Sequence, residues 1–179
     1  MMSIYTRKLS KLVVALVFIM PAIVSADEPV IRTEGTVIYL ADNLQEEARL
    51  GWCIDTRGRG FGEQLHAHSC KPQGGDVQFS FDEELGKIQS VAFEGKCMTL
   101  SDPENNEIPF GLFDCVEGDV TQQFSYDTKS MEFRLGTDKS KCVAVADGIS
   151  QAGPFQSRQL IFAPCADLAS KFKQWVIRK

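Results

Sequence analysis

The chain has 179 residues, 44% of them hydrophobic, with 24 acidic against 19 basic side chains and a formal charge of −5. That length allows one domain with a true core. An acidic balance argues against nucleic acid, whose binding depends on Lys and Arg neutralising phosphates, and against an anionic membrane surface.

Arg7, Lys8 and Lys11 open the chain, Leu12 to Met20 is an unbroken apolar run, Pro21 ends it, and Val24-Ser25-Ala26 supplies the small residues of a cleavage site. Residues 1–26 therefore read as a secretory signal peptide. The apolar run is short for a bilayer span, which needs about 20 residues. The mature chain is then 27–179, and the loss of three basic groups moves the formal charge from −5 to −8. Secretion to the extracellular space, or to a bacterial periplasm, places the six cysteines in an oxidising compartment, where an even number at regular spacing implies disulfides.

Pro29 makes Asp27 to Arg32 an extended lead-in, and the β-branched and aromatic run Thr36 to Leu40 predicts a strand. Asp42 to Leu50 has helix-forming composition and reads as a decorated loop of a turn or two. Beyond it, short apolar runs alternate with Gly, Pro, Asn and Asp clusters. The runs are Ile88 to Phe93, Cys97 to Leu100, Phe110 to Phe113, Phe124 to Tyr126, Met131 to Leu135, Cys142 to Val145, Leu160 to Phe162 and Trp175 to Ile177. Asp147 to Arg158 reads as a long turn. This is an all-β chain of about twelve short strands, which avoids open edges by closing on itself.

The pattern repeats three times. The first copy is centred on Gly51 to Phe81, and each copy has a Cys in a short apolar run, a turn, a second Cys and a Gln-aromatic pair. The first cysteines, Cys53, Cys97 and Cys142, are 44 and 45 residues apart. The repeats span about 30–81, 82–126 and 127–179. Six cysteines allow many pairings. If the copies fold alike, the pairs are Cys53–Cys70, Cys97–Cys115 and Cys142–Cys165, one staple per repeat. No C-x-x-C occurs, so neither a redox motif nor a zinc ribbon is supported. Phe79, Phe124 and Trp175, one aromatic per repeat, are expected in the core.

These residues carry a resemblance. Gly51-Trp52-Cys53-Ile54-Asp55, Gly95-Lys96-Cys97-Met98-Thr99-Leu100 and Lys173-Gln174-Trp175 resemble the ricin B-type lectin β-trefoil. Its repeats read roughly G-x-C-[LI]-D, a strand ending in Cys, then Q-x-W. The Q-x-W box is degenerate here: Val77, Gln122 and Lys173 stand two residues before the aromatics, and only Gln122 keeps the pattern. The resemblance implies one shallow sugar pocket per repeat. An Asp accepts hydrogen bonds from sugar hydroxyls and an aromatic plate covers the ring's apolar face.

Carried onto this sequence, it implies a site in the first repeat from Asp55, His66, His68 and Asp76. A weaker second-repeat site is implied at Phe113 and Gln122, where Thr99 replaces the acceptor. The third repeat, with Ala144, Ile161 and Ala163, keeps nothing. Asp55 also suits a plainer role, capping a turn at a strand end. His66 and His68 lie on one strand face and with a carboxylate form a possible metal donor set. Spacing alone does not supply its geometry, and neither a metal nor a cofactor is assigned. No nucleophile elbow, P-loop, HExxH or free Cys is present, so no catalytic residue is assigned either.

The implied function is a secreted, non-catalytic, carbohydrate-binding lectin, with a galactose-type sugar or glycoprotein as its partner. The decayed second and third copies leave a second expectation, a protein-binding trefoil acting as a toxin or effector subunit. A third is a trefoil-type protease inhibitor, whose loop would be Asp147 to Arg158. Fold alone does not choose among them.

Overall fold

The computed structural model of the protein describes residues 27–105 and 107–179; the signal segment expected over 1–26 lies outside the described residues. The first repeat contributes β1 (Val37–Leu40), β2 (Trp52–Thr56), β3 (Leu65–Ser69) and β4 (Phe79–Asp82). The second contributes β5 (Lys87–Ser90), β6 (Lys96–Leu100), β7 (Phe110–Asp114) and β8 (Phe124–Asp127). The third runs through β9 (Glu132–Leu135), β10 (Lys141–Val145), β11 (Ser150–Ala152), β12 (Phe155–Arg158), β13 (Leu160–Pro164) and β14 (Trp175–Arg178). Three single-turn 3-10 segments complete the regular structure, with no α-helix among the described residues.

The threefold arrangement is visible in the register. Each repeat's first strand pairs antiparallel with the last strand of the copy before it: β5 with β4, β9 with β8, and β1 with β14 across the two ends of the domain. The three first cysteines sit at equivalent places: Cys53 faces Tyr39, Cys97 faces Gln89 and Cys142 faces Arg134. Joining the end strands leaves the barrel no free edge there, which is how short strands avoid pairing with foreign chains.

The disulfides are Cys53–Cys70, Cys97–Cys115 and Cys142–Cys165. Each closes a loop of 17 to 23 residues, worth about 3 kcal/mol by loop-closure entropy. The glycine two residues before the first Cys has a backbone reason. Gly51 and Gly95 adopt φ of +76° and +72°, a conformation that costs a side chain dearly. Their carbonyls accept the amides of Cys70 and Cys115, which brings the two cysteines of each repeat together.

The core gathers equivalent residues from all three repeats. Phe79, Phe124 and Trp175 are buried there, as are Ile54, Met98 and Val143, the residues following the three first cysteines. Strand alternation puts these residues inside on every copy. The aromatics of the Gln-aromatic pairs are core, as expected.

One expectation fails. Asp147 to Arg158 is not a long turn. It holds the hairpin β11–β12, inserted between the second and third strands of the third repeat, with Gly153 at its tip. The hairpin crosses to the first repeat, where Ser157 pairs with His68 and Arg158 with Ala67 on β3. Polar contacts fix it. The Gln156 amide donates to Ser69 Oγ, and Ser69 Oγ donates to buried Glu46. Gln156 Oε1 accepts the Glu47 amide. Arg158 lies over the Trp52 indole and donates to the carbonyls of Leu44, Ala146 and Asp147. The loop Asp42 to Leu50 forms turns, as expected, and they serve as the socket for these contacts.

Candidate functional site

In the first repeat β2 and β3 form a hairpin in which Asp55 faces His66 and Cys53 faces His68. Asp55 and His66 are therefore cross-strand neighbours, and His68 is two residues along the same face. His66 Nε2 lies 3.8 Å and His68 Nδ1 3.7 Å from Asp55 Oδ2. The structure brings all four expected residues together, but through a fifth that sequence reasoning missed. Lys71 Nζ lies 2.8 Å from Asp55 Oδ2 and donates to Asp76 Oδ1 at 2.7 Å. Lys71 follows Cys70, so the disulfide that fixes the end of β3 also delivers the ammonium.

Asp55 is wholly buried. Its contact with Lys71 is an ion pair, and neither Asp55 oxygen nor His66 Nε2 has a directed hydrogen-bond partner among the described residues. Burial by itself raises the Asp55 pKa, but the nearness of His66 and Lys71 outweighs it and the carboxyl sits below its ordinary value. Burial lowers Lys71, yet Asp55 and Asp76 outweigh it and hold the ammonium above its ordinary value. His68 is pushed down by burial, only partly offset by its bond with the Ser69 carbonyl and by Asp55. At neutral pH Asp55 is therefore a carboxylate and Lys71 an ammonium, with a neutral His68 beside them. A cation at Asp55 would have to displace Lys71, which argues against the two-histidine metal set.

A cavity of about 670 Å³ opens in front of this cluster. His66, His68 and Lys71 line it from the first repeat, Glu107 and Ile108 from the second, and the inserted hairpin from the third. Phe155 of β12 meets the His68 ring edge-on at 5.6 Å. Asp55 and Asp76 do not line the cavity; they stand behind it and hold Lys71. Asp55 is thus buried behind the residues that line the cavity.

The other repeats differ for stated reasons. Across β6 and β7, Thr99 faces Gly111 and Cys97 faces Phe113, and Phe113 is exposed as a plate should be. Gln122 is not available to a ligand. Its amide donates to Thr99 Oγ1 and the Asp114 carbonyl, and its carbonyl accepts from the Val116 amide and Lys87 Nζ. All four hydrogen-bonding positions of the side chain are filled.

The degenerate box now has a physical reading. In each repeat the residue two before the aromatic is associated with the first residue of that repeat's first strand: Val77 with Val37, Gln122 with Lys87, and Lys173 with Glu132. Each pair is complementary in its own way, apolar, polar or ionic. Gln122→Ala should therefore leave the Val116 amide and the Asp114 carbonyl without this partner and the buried Lys87 ammonium with the Val116 carbonyl alone, lowering stability by about 1–3 kcal/mol in urea denaturation. In the third repeat Ala144 faces Ile161 and Cys142 faces Ala163, with no acceptor and no plate.

The comparisons agree on fold. The family model for the ricin-type beta-trefoil lectin domain matches residues 41–175. Among curated proteins, no sequence matches significantly. Three of the solved structures similar in shape illustrate the match. GalNAc-T7, crystallised with UDP, GalNAc and Mn2+, aligns at 16% identity with a TM-score of 0.52, covering 72% of this chain and 20% of that one. The β-trefoil lectin of the Vibrio vulnificus hemolysin/cytolysin, with N-acetyl-D-lactosamine bound, aligns at 12% identity with a TM-score of 0.55, covering 79% and 91%. The agglutinin from Abrus precatorius aligns at 14% identity with a TM-score of 0.56, covering 80% and 46%. The chain thus spans nearly all of the Vibrio domain, a fifth of GalNAc-T7 and under half of the agglutinin. No helix among the described residues is long and apolar enough to cross a membrane.

Proposed function

The chain belongs to the ricin-type β-trefoil lectin family, and on that footing we propose that it is an exported, non-catalytic carbohydrate-binding protein with a single ligand site on the first repeat. The mature protein is residues 27–179, one trefoil domain held by its three disulfides. The observation that carries this reading is the polar cavity in front of the Asp55–Lys71–Asp76 trio, with His66 and His68 on its wall. The equivalent places in the second and third repeats are filled by Gly111 and a saturated Gln122, or by Ala144, Ile161 and Ala163. Glycans with a galactose-type unit are the first class to try, as the family resemblance implies.

The test is a glycan array on the oxidised mature protein beside His66→Ala. His66 lines the cavity and stands 3.8 Å from Asp55, while Lys71 keeps the closer contact at 2.8 Å. The expected result is a signal that falls about tenfold in the variant, as the loss of roughly 1.4 kcal/mol of contact gives, with the variant still folded by circular dichroism. A blank array from the folded wild type would sink the reading. The loss of polar groups in two of three repeats favours a second one, a trefoil that binds protein as part of a toxin or effector assembly. Co-purification of a second polypeptide, with no glycan signal, would support it.

A further inference from the structure

We infer that the first-repeat cavity takes an anionic sugar, a glycan bearing a carboxylate or a sulfate, and that its stacking plate is Phe155 of the third-repeat hairpin. This rests on the reading that the cavity binds sugar and goes further by naming the class.

The argument starts from charge. The protein is acidic overall, yet the side chains lining this cavity invert the sign: Arg57, Arg59, Lys71 and Arg158 against Glu107 alone. Not all of these are free. Lys71 is held by Asp55 and Asp76, and Arg158 is spent on three carbonyls and the Trp52 ring. Arg57 and Arg59 remain. Both are exposed, and neither takes part in an ion pair among the described residues. They sit on the turn after β2, where Gly58 and Gly60 adopt φ of +119° and +75°. A guanidinium matches a carboxylate or sulfate with two parallel hydrogen bonds, and a low-dielectric cavity wall strengthens the attraction.

Asp55 bears on the same conclusion. In an exposed position it would accept hydroxyl hydrogens from a neutral sugar. Here it is buried and bound to Lys71, so the recognition of a neutral hydroxyl pair is weakened. The apolar face of the ring still needs a flat partner. His68 is nearly buried, whereas Phe155 is half-buried, lines the cavity and is braced edge-on by His68. The plate comes from a different repeat than the charge.

The experiment measures affinity of the oxidised mature protein for three probes sharing one core: lactose, sialyllactose and 6-sulfated lactose. They are compared in wild type, Arg57→Ser/Arg59→Ser and Phe155→Ala. The expected result is that at least one acidic probe binds tenfold or more tighter than lactose. That preference should shrink at high salt, through screening, and vanish in the double arginine variant. The two acidic probes separate carboxylate from sulfate recognition. Phe155→Ala should weaken the favoured probe about tenfold, and Phe155→Tyr should keep its affinity, which tells a plate from a hairpin that fails to dock.

Equal affinity for lactose and both acidic probes would overturn the inference and leave the lectin reading standing. An acidic preference that survives the double arginine variant would overturn it as well. Binding of none of the probes and a blank glycan array would remove both.

Discussion

Lys71→Ala should lose about 3–5 kcal/mol at pH 7 in chemical denaturation, because it strands the buried Asp55 carboxylate without its counter-charge. The pH dependence identifies the cause. In the wild type the folded Asp55 pKa is below its unfolded value. Its contribution is therefore present above about pH 4 and lost as pH falls through the folded pKa. Lys71 is raised, so its contribution holds below its unfolded pKa, near 10.4, and fades as pH rises through the folded pKa. Neutral, buried His68 has a lowered pKa, so its share is present above about pH 6.5 and lost on acidification. In Lys71→Ala the deficit should be largest at neutral pH and shrink as Asp55 protonates. Lys71→Met with Asp55→Asn, which removes both charges, should be much milder than the single variant. A deficit that stays constant from pH 7 to pH 4 would show that lost packing, and not a stranded charge, is the cause.

Trp175→Ala is the second large effect expected, about 3–5 kcal/mol, with a thermal midpoint lower by roughly 10 °C for a domain of this size. Trp175 is wholly buried in the shared core and its indole donates to the Val143 carbonyl. Trp175→Phe puts in place the residue type found at the equivalent Phe79 and Phe124. It should cost about 1–3 kcal/mol, from a smaller ring and an orphaned carbonyl. If Phe and Ala were equally damaging at this place, the indole hydrogen bond would outweigh ring packing.

The fold was largely legible in the sequence because it is written three times. Spacing of Cys53, Cys97 and Cys142 announces the repeat, and apolar runs such as Leu160 to Phe162 fall on observed strands. The site was legible only in part. Asp55 and His66 lie opposite each other on one hairpin, so a local pattern contains them. Lys71 follows a cysteine in a stretch without periodicity, and nothing local says that its ammonium turns back onto Asp55. The hairpin β11–β12 was hidden for a related reason. Ser150 to Arg158 has no apolar alternation, since its strands bury few side chains and are held by Gln156 and Arg158 across to another repeat. The Gly153-Pro154 pair was the usable hint, a turn signal between two short polar strands.

The same hairpin has a consequence in time. Ser69 and Gln156, which anchor it to the first repeat, are 87 residues apart, whereas each disulfide joins cysteines 17 to 23 residues apart. Contacts that close long stretches of chain carry an entropic cost that is repaid only once both partners are ordered. The crosslinks can therefore form one repeat at a time as the chain emerges, while the cavity waits for the third repeat to reach back over the first. Oxidation and cavity formation come apart. A nascent or truncated chain can hold its first disulfide and its Asp55–His66 pair while the cavity in front of them does not yet exist.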